Sequence, residues 1–414
     1  MAPKTDSTAR RGTKKKVTMM DQFWAAKKEQ PEALLFFRMG DFYELFGDDA
    51  KTAARELGIA LTSRAKGTPD ALPMAGVPVK SMDGYLMRLV RKGFKVAICE
   101  QTSDPKTTKG IVDRAIVRVV TAGTITEEDA LDSRASNWLA SLAVDGKNAG
   151  LAWVDISTGR FHVAEIDRDD LDDELARLAP AEILLQEDLS EAQPELASAL
   201  EVGYASALSP RDSWRFERGA CRRVLERHFK VKTLEGFGIP DDSPIVPAAG
   251  ALIEYLEETQ RSACEHVLSI SREDPGKHLV LDRATRSTLE LVVTQRGARR
   301  EGTLLDTIDR SVTPMGGRLL REWLLAPMRE VEPILYRQRG VSEFVDGPFL
   351  REDIREQLTG MLDVERLVAK VSTGRANARD LVGLATSIAV VRPLYDRLEQ
   401  VYSCLLYTSP SPRD

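Results

Sequence analysis

Phe42 and Glu44 stand two residues apart in the stretch Arg38-Met39-Gly40-Asp41-Phe42-Tyr43-Glu44-Leu45-Phe46, directly after an apolar run and a glycine. An exposed aromatic ring can wedge between stacked bases, and a carboxylate beside it can accept a hydrogen bond from a base edge. The same letters have a second reading without chemistry. Asp41 and Glu44 show the spacing of a helix N-cap and its N3 partner, with Phe42, Leu45 and Phe46 as core residues. Spacing alone leaves both readings open.

The elements around this stretch follow from periodicity. Thr18 with Asp21 is expected to cap a helix through Trp24 and Lys28 that Pro31 stops, followed by a buried strand at 33–37. Asp41 is expected to open a second helix that Gly58 closes, with strands at 59–62, 94–99 and 115–121 and a helix at 82–92. Three consecutive strands are expected within 137–167, with turns at Asp145-Gly146-Lys147-Asn148 and Ser157-Thr158-Gly159-Arg160, then a helix at 171–178 and a strand at 182–185. That order is ribonuclease-H-like. It raises a rival chemistry, a metal-dependent nuclease centred on Asp155 with Glu165 on the neighbouring strand. Two-metal chemistry needs several converging carboxylates, however, and Asp155 suits a role in shaping the turn into Ser157-Thr158-Gly159. After Leu279 the pattern turns helical, at 316–325, 334–345, 350–371 and 378–398. The fold class expected is multidomain α/β: a mixed α/β domain over 17–130, a ribonuclease-H-like domain over 131–268, and a mostly α-helical region over 269–403.

Composition limits the partners. The 414 residues carry a net charge of −6, which argues against a uniformly basic nucleic-acid coat, so DNA contact must be local. Six of the first sixteen residues are Arg or Lys, and 1–16 reads as a disordered basic arm able to touch phosphates. No secretory signal or membrane-spanning run is visible, which suggests a cytoplasmic protein. Cys99, Cys221, Cys264 and Cys404 lack Cys-x-x-Cys spacing and the four histidines form no His-x-x-x-His pair, so neither a metal site nor a disulfide framework is expected. Gly146-Lys147 and Gly276-Lys277 lack the flanking residues of a phosphate-binding loop, so the chain as given is not expected to bind or hydrolyse ATP. The final eleven residues, 404–414, resemble the in-frame translation of a sequencing-library adaptor and are set aside from the fold reading.

Taken in order, several motifs resemble the N-terminal half of the MutS family of DNA mismatch-repair proteins, from Met19 to about Val401. They are Arg38-Met39-Gly40-Asp41-Phe42-Tyr43-Glu44, Pro73-Met74-Ala75-Gly76-Val77-Pro78, Val96-Ala97-Ile98-Cys99-Glu100-Gln101, Asp155-Ile156-Ser157-Thr158-Gly159-Arg160-Phe161 and Thr313-Pro314-Met315-Gly316-Gly317-Arg318-Leu319-Leu320. One departure is Thr121-Ala122-Gly123-Thr124, where the family usually has proline second. The resemblance implies a mismatch-recognition domain, a connector domain and the start of a lever region. It makes Phe42 the residue that stacks on the mispaired or unpaired base from the minor groove, with Glu44 hydrogen-bonding that base and Asp41 retained as a helix cap. Met39, Asp41, Arg64, Pro73 and Met74 would line the same surface, with Lys66 a further candidate. It further implies mismatched or looped duplex DNA as ligand, a second MutS subunit in a homodimer, a MutL-type partner reached through the connector, and a bacterial, nucleoid-associated location. ATP and Mg would serve a motor domain in a full-length parent, an ATPase of which this chain would be a fragment. An architectural DNA binder without mismatch preference is the other alternative.

Overall fold

The computed structural model describes residues 18–398 apart from 66, 68–70 and 104–109. The basic arm, Lys66 and the adaptor-like tail therefore lie outside the described residues. The chain divides into one compact unit ending at Val119 and another beginning at Val120.

In the first unit, helix α1 (Met19–Glu29) opens on the expected reciprocal cap: Asp21 N donates to Thr18 Oγ1 at 3.2 Å and Thr18 N to Asp21 Oδ2 at 2.7 Å. Strands β1 (Leu34–Met39), β2 (Phe42–Phe46), β3 (Thr62–Arg64), β4 (Leu72–Pro78), β5 (Val96–Gln101) and β6 (Arg114–Val120) form one sheet in the order β3-β4-β2-β1-β5-β6. Helices α2 (Gly47–Leu57) and α3 (Met82–Val90) complete the unit. Phe23 of α1 packs with Leu35, Phe37, Phe46, Ala97 and Cys99 on one face of the sheet. Residues of the opposite phase, Phe36, Tyr43, Leu45 and Val77, are buried on the other face.

The helix expected from Asp41 is not there. Residues 42–46 form a strand, and α2 begins only at Gly47, with Phe46 at the cap position and no side-chain cap bond. Asp41 is therefore a turn residue, not a helix cap. Burial decides this: Tyr43 and Leu45 go to one face and Phe46 to the other, so the segment is sandwiched on both sides as a central strand requires. Strand β3 also sits later than the expected 59–62. A part-buried ion pair ties the layers together at the start of β1. Asp49 of α2 accepts from Leu35 N at 3.0 Å and from Lys27 Nζ of α1 at 2.8 Å, and Lys27 also donates to Ala33 O.

The second unit is built on a sheet of β7 (Leu139–Asp145), β8 (Asn148–Asp155), β9 (Arg160–Asp167), β10 (Glu182–Gln186), β11 (Leu208–Arg211) and β12 (Ser271–Arg272), in the order β11-β10-β7-β8-β9-β12. Strands β7 to β9 form an antiparallel meander, and β10 and β11 join parallel beyond β7, which is the ribonuclease-H-like arrangement. Helices α4 (Leu171–Leu178), α5 (Leu189–Ala192) and α6 (Pro194–Tyr204) cover one face, and α7 (Arg218–Phe229) and α8 (Ile245–Gln260) the other. Glu182, at the start of β10, holds the segment by which the chain enters this unit. It accepts from Thr121 Oγ1 at 2.5 Å, Gly123 N at 3.0 Å and Tyr255 Oη at 2.7 Å.

Seven helices follow: α9 (Arg283–Thr288), α10 (Leu304–Ile308), α11 (Pro314–Leu325), α12 (Val331–Asp346), α13 (Pro348–Thr359), α14 (Val364–Ser372) and α15 (Ala378–Leu398). The single helix expected over 350–371 is two, because the chain stops at Gly360 and restarts where Asp363 accepts from Arg366 N. Asp363 also pairs with the buried Arg318 of α11 at 2.5 and 2.8 Å.

Gly150 of β8 sits where α8 begins, and a Cβ there would lie 1.9 Å from Pro244 O, a backbone atom. Gly150→Ala is expected to destabilise the second unit by about 3 kcal/mol or more. Gly146→Asn, at a turn with φ +63° and open space around it, should cost little because Asn accepts left-handed backbone. Denaturant unfolding of the two variants checks the contrast.

Candidate nucleic-acid interface

Phe42 and Glu44 are carried by a hairpin. Met39 pairs with Phe42 across β1 and β2, so Gly40 and Asp41 alone make the turn, with Gly40 at φ +58°. Val79 N donates to Asp41 O at 3.0 Å and fixes the turn from the neighbouring strand's end. On the far face Arg38 donates to Gly40 O at 2.6 Å, lies over the Tyr43 ring and pairs with Glu100 at 3.6 Å. Tyr43 Oη donates to Glu100 as well, and burial with that carboxylate pushes the phenol up to about 12.

Alternation along β2 then puts Phe42, Glu44 and Phe46 on one face. Phe46 meets Phe23 of α1 at 4.9 Å between ring centroids and is buried, whereas Phe42 remains 46% exposed. Gly76 of β4 lies directly opposite Glu44. A Cβ on Gly76 would stand 3.6 Å from Phe42 Cδ1 and 3.8 Å from Glu44 Cγ, so both side chains lean over a position that has none of its own. Glu44 is half-buried, and burial raises its pKa above the ordinary 4.5, an effect that the Arg64 charge opposes. Arg64 rests over the Phe46 ring at 5.8 Å and contacts Met19 Sδ at 3.9 Å.

Of the residues expected at this surface, Met39, Phe42, Glu44, Arg64 and Met74 share the face, as their cross-strand pairings require. Asp41 is exposed in the turn at its edge. Pro73 is one residue out of phase and belongs to the opposite face of β4. Gly76 and Pro78, the partners of Glu44 and Phe42, belong to the site and were not singled out as its residues. An alternating reading of 72–78 would have found them, but Pro73 and Pro78 disguise the strand.

Three family models match the chain in order: MutS domain I over residues 17–129, MutS domain II over 137–268 and MutS domain III over 284–407. The chain belongs to the MutS family. Proteins named DNA mismatch repair protein MutS from Halothermothrix orenii, Rhodopirellula baltica and Symbiobacterium thermophilum are each 42% identical to it. The matches extend over 387, 409 and 392 residues, which is 92%, 94% and 94% of this chain but 43%, 45% and 45% of those proteins. The chain thus spans less than half the length of these curated relatives. No helix among the described residues is long and apolar enough to cross a membrane.

The MutS domain II region also contains Asp155, whose geometry does not suit a nuclease. Its side chain is fully buried and accepts from Asn137 N at 3.1 Å, Ser157 N at 2.9 Å and Ser157 Oγ at 2.6 Å. Burial pushes its pKa up, against the bonds from Ser157 and the Arg366 charge. Thr158 N and Gly159 N donate to its carbonyl, so the residue shapes the turn after β8. Glu165 pairs with Gly150 in register, five residues along the strand, or about 16 Å, from Asp155. Two carboxylates that far apart cannot share metal ions about 4 Å apart.

The raised Glu44 pKa has a stability consequence. Ionisation of Glu44 opposes folding at pH values above the ordinary carboxyl value and has no effect below it, where both folded and unfolded chains hold the proton. Glu44→Gln is therefore expected to raise the Tm of the first unit at pH 7, with the gain shrinking as pH falls and absent below about 4. Scanning calorimetry across pH tests the sign, and a loss of stability at pH 7 would show that the carboxylate has a stabilising partner instead.

Proposed function

We propose that this chain carries the DNA-reading part of a mismatch-repair sensor. Phe42 enters the minor groove and stacks on a mispaired or unpaired base, and Glu44 makes a hydrogen bond to that base. The observation that carries the reading is the half-exposed Phe42 on a face whose neighbouring aromatic residues are buried, with a half-buried carboxylate beside it over Gly76. A mispaired step is already weakly stacked, so wedging it costs less than at a paired step, and selection comes from deformability rather than from a base code. The carboxylate sharpens the choice: without a base donor its charge near phosphates is unfavourable, which disfavours ordinary duplex. Met39, Arg64 and Met74 would flank the opened step, with Arg64 the natural phosphate or sugar contact.

In the full-length protein this reader would act with a second subunit, a MutL-type partner reached through the connector region, and an ATP- and Mg-dependent motor. What supports this is the family membership. A nucleoid-associated bacterial location follows from the same reading.

Phe42→Ala in the full-length protein is the decisive variant. Fluorescence anisotropy with a duplex carrying one unpaired thymine and its paired control should show the binding preference falling by roughly tenfold or more, since stacking one base on an aromatic ring is worth about 1–3 kcal/mol. An unchanged ratio would remove Phe42 from the reading role. Glu44→Gln should reduce the ratio while leaving binding to paired DNA no weaker.

A further inference from the structure

A cavity of about 220 Å³ opens in the second unit between the Trp153 side of the sheet and helices α11 and α12. Its lining is strongly cationic, and most of that charge is already matched. Arg160 makes two bonds to Glu322 at 2.7 and 2.8 Å, and Arg177 pairs with Glu174 at 2.8 Å and Glu273 at 3.3 Å. Arg318 is only 1% exposed and pairs with Asp363 and Glu365. Its Nε is buried without an acceptor.

Two guanidinium groups are left over. Arg321 of α11 and Arg337 of α12 both line the cavity and make no hydrogen bond or ion pair among the described residues. The Arg337 guanidinium carbon lies over the Trp323 ring, 3.6 Å from its centroid. Desolvation lowers the pKa of both, and for Arg321 the distant Asp132 charge offsets this only in part while Arg300 adds to it. Two partly dehydrated cations sharing one small cavity are unfavourable unless an anion joins them. Guanidinium groups in a fixed fork suit tetrahedral oxyanions through paired N–H donors.

We propose that this cavity binds a small phosphate-class oxyanion between Arg321 and Arg337, with Arg318 Nε as a further donor. Its volume admits a phosphate or pyrophosphate group, with tryptophan rings closing the sides. The site lies in the second unit and does not depend on the DNA-reading assignment in the first.

Titration of the 414-residue chain with inorganic phosphate, pyrophosphate and AMP, at ionic strength matched with chloride, tests the proposal by tryptophan fluorescence and calorimetry. Saturable one-to-one binding of phosphate or pyrophosphate is expected, and the AMP arm tells a free anion from a nucleotide phosphate. Arg321→Gln and Arg337→Gln should each weaken binding at least tenfold, while Arg321→Lys, which keeps the charge, should weaken it less. Arg321→Gln should also raise the Tm in chloride, because it removes an uncompensated cation. Non-saturable changes, or equal affinity in the Arg321→Gln/Arg337→Gln double variant, would overturn the site.

Discussion

The two-residue period of β2, locked by its pairing to β1 and β4, is the constraint on which the proposed reading surface depends. A slip of one residue would send Tyr43 and Leu45 to the face that α1 covers and bury Phe42 and Glu44 in the opposite core. Burial prevents that slip. Phe46 is committed to Phe23, and Leu45 is fully buried on the other side, so the register at the closed end of the strand determines what stands at the open end. The Lys27–Asp49 pair secures the same arrangement from the start of β1, where an uncompensated charge would be costly.

Three acidic side chains show how local surroundings set the role of one functional group. Glu182 is buried, accepts from three donors and serves as an anchor for the incoming chain. Asp155 is equally buried and is spent on the turn after β8. Glu44 is only half-buried, with burial raising its pKa against the charge of Arg64, and its carboxylate accepts no hydrogen bond among the described residues. Acceptor capacity left open at a surface is what a recognition group needs, and of the three Glu44 alone has it.

Much of the fold was legible in the sequence where local chemistry and tertiary packing agree. The Thr18–Asp21 cap, the left-handed Gly58, the turns of the β7–β9 meander and the helix at 171–178 could all be read from their residues. Legibility failed where the two disagree. Asp41 and Glu44 have capping-box spacing, but Tyr43 between them and Phe46 beyond them are buried on opposite faces, and tertiary burial overrides a cap of about 1 kcal/mol. Strand β4 carries two prolines and a glycine in seven residues, each of which argues against a strand locally. Pairing on both sides holds it in place, and that is information only the assembled sheet contains. Phe42 and Glu44 were legible as a pair, whereas Gly76 beneath them was not legible as part of a site. The unmatched state of Arg321 and Arg337 was likewise invisible, since sequence shows charges but not which of them find partners.

Carriage on a paired strand, closed by a two-residue turn and braced by Arg38 from behind, also bears on kinetics. A wedge on a flexible loop would lose conformational freedom each time it met a duplex, and that loss would weaken every complex alike. Here the ordering is completed when the sheet folds. On the proposed reading, encounters with paired and faulty DNA would begin at similar rates, and the two kinds of site would be distinguished by residence time.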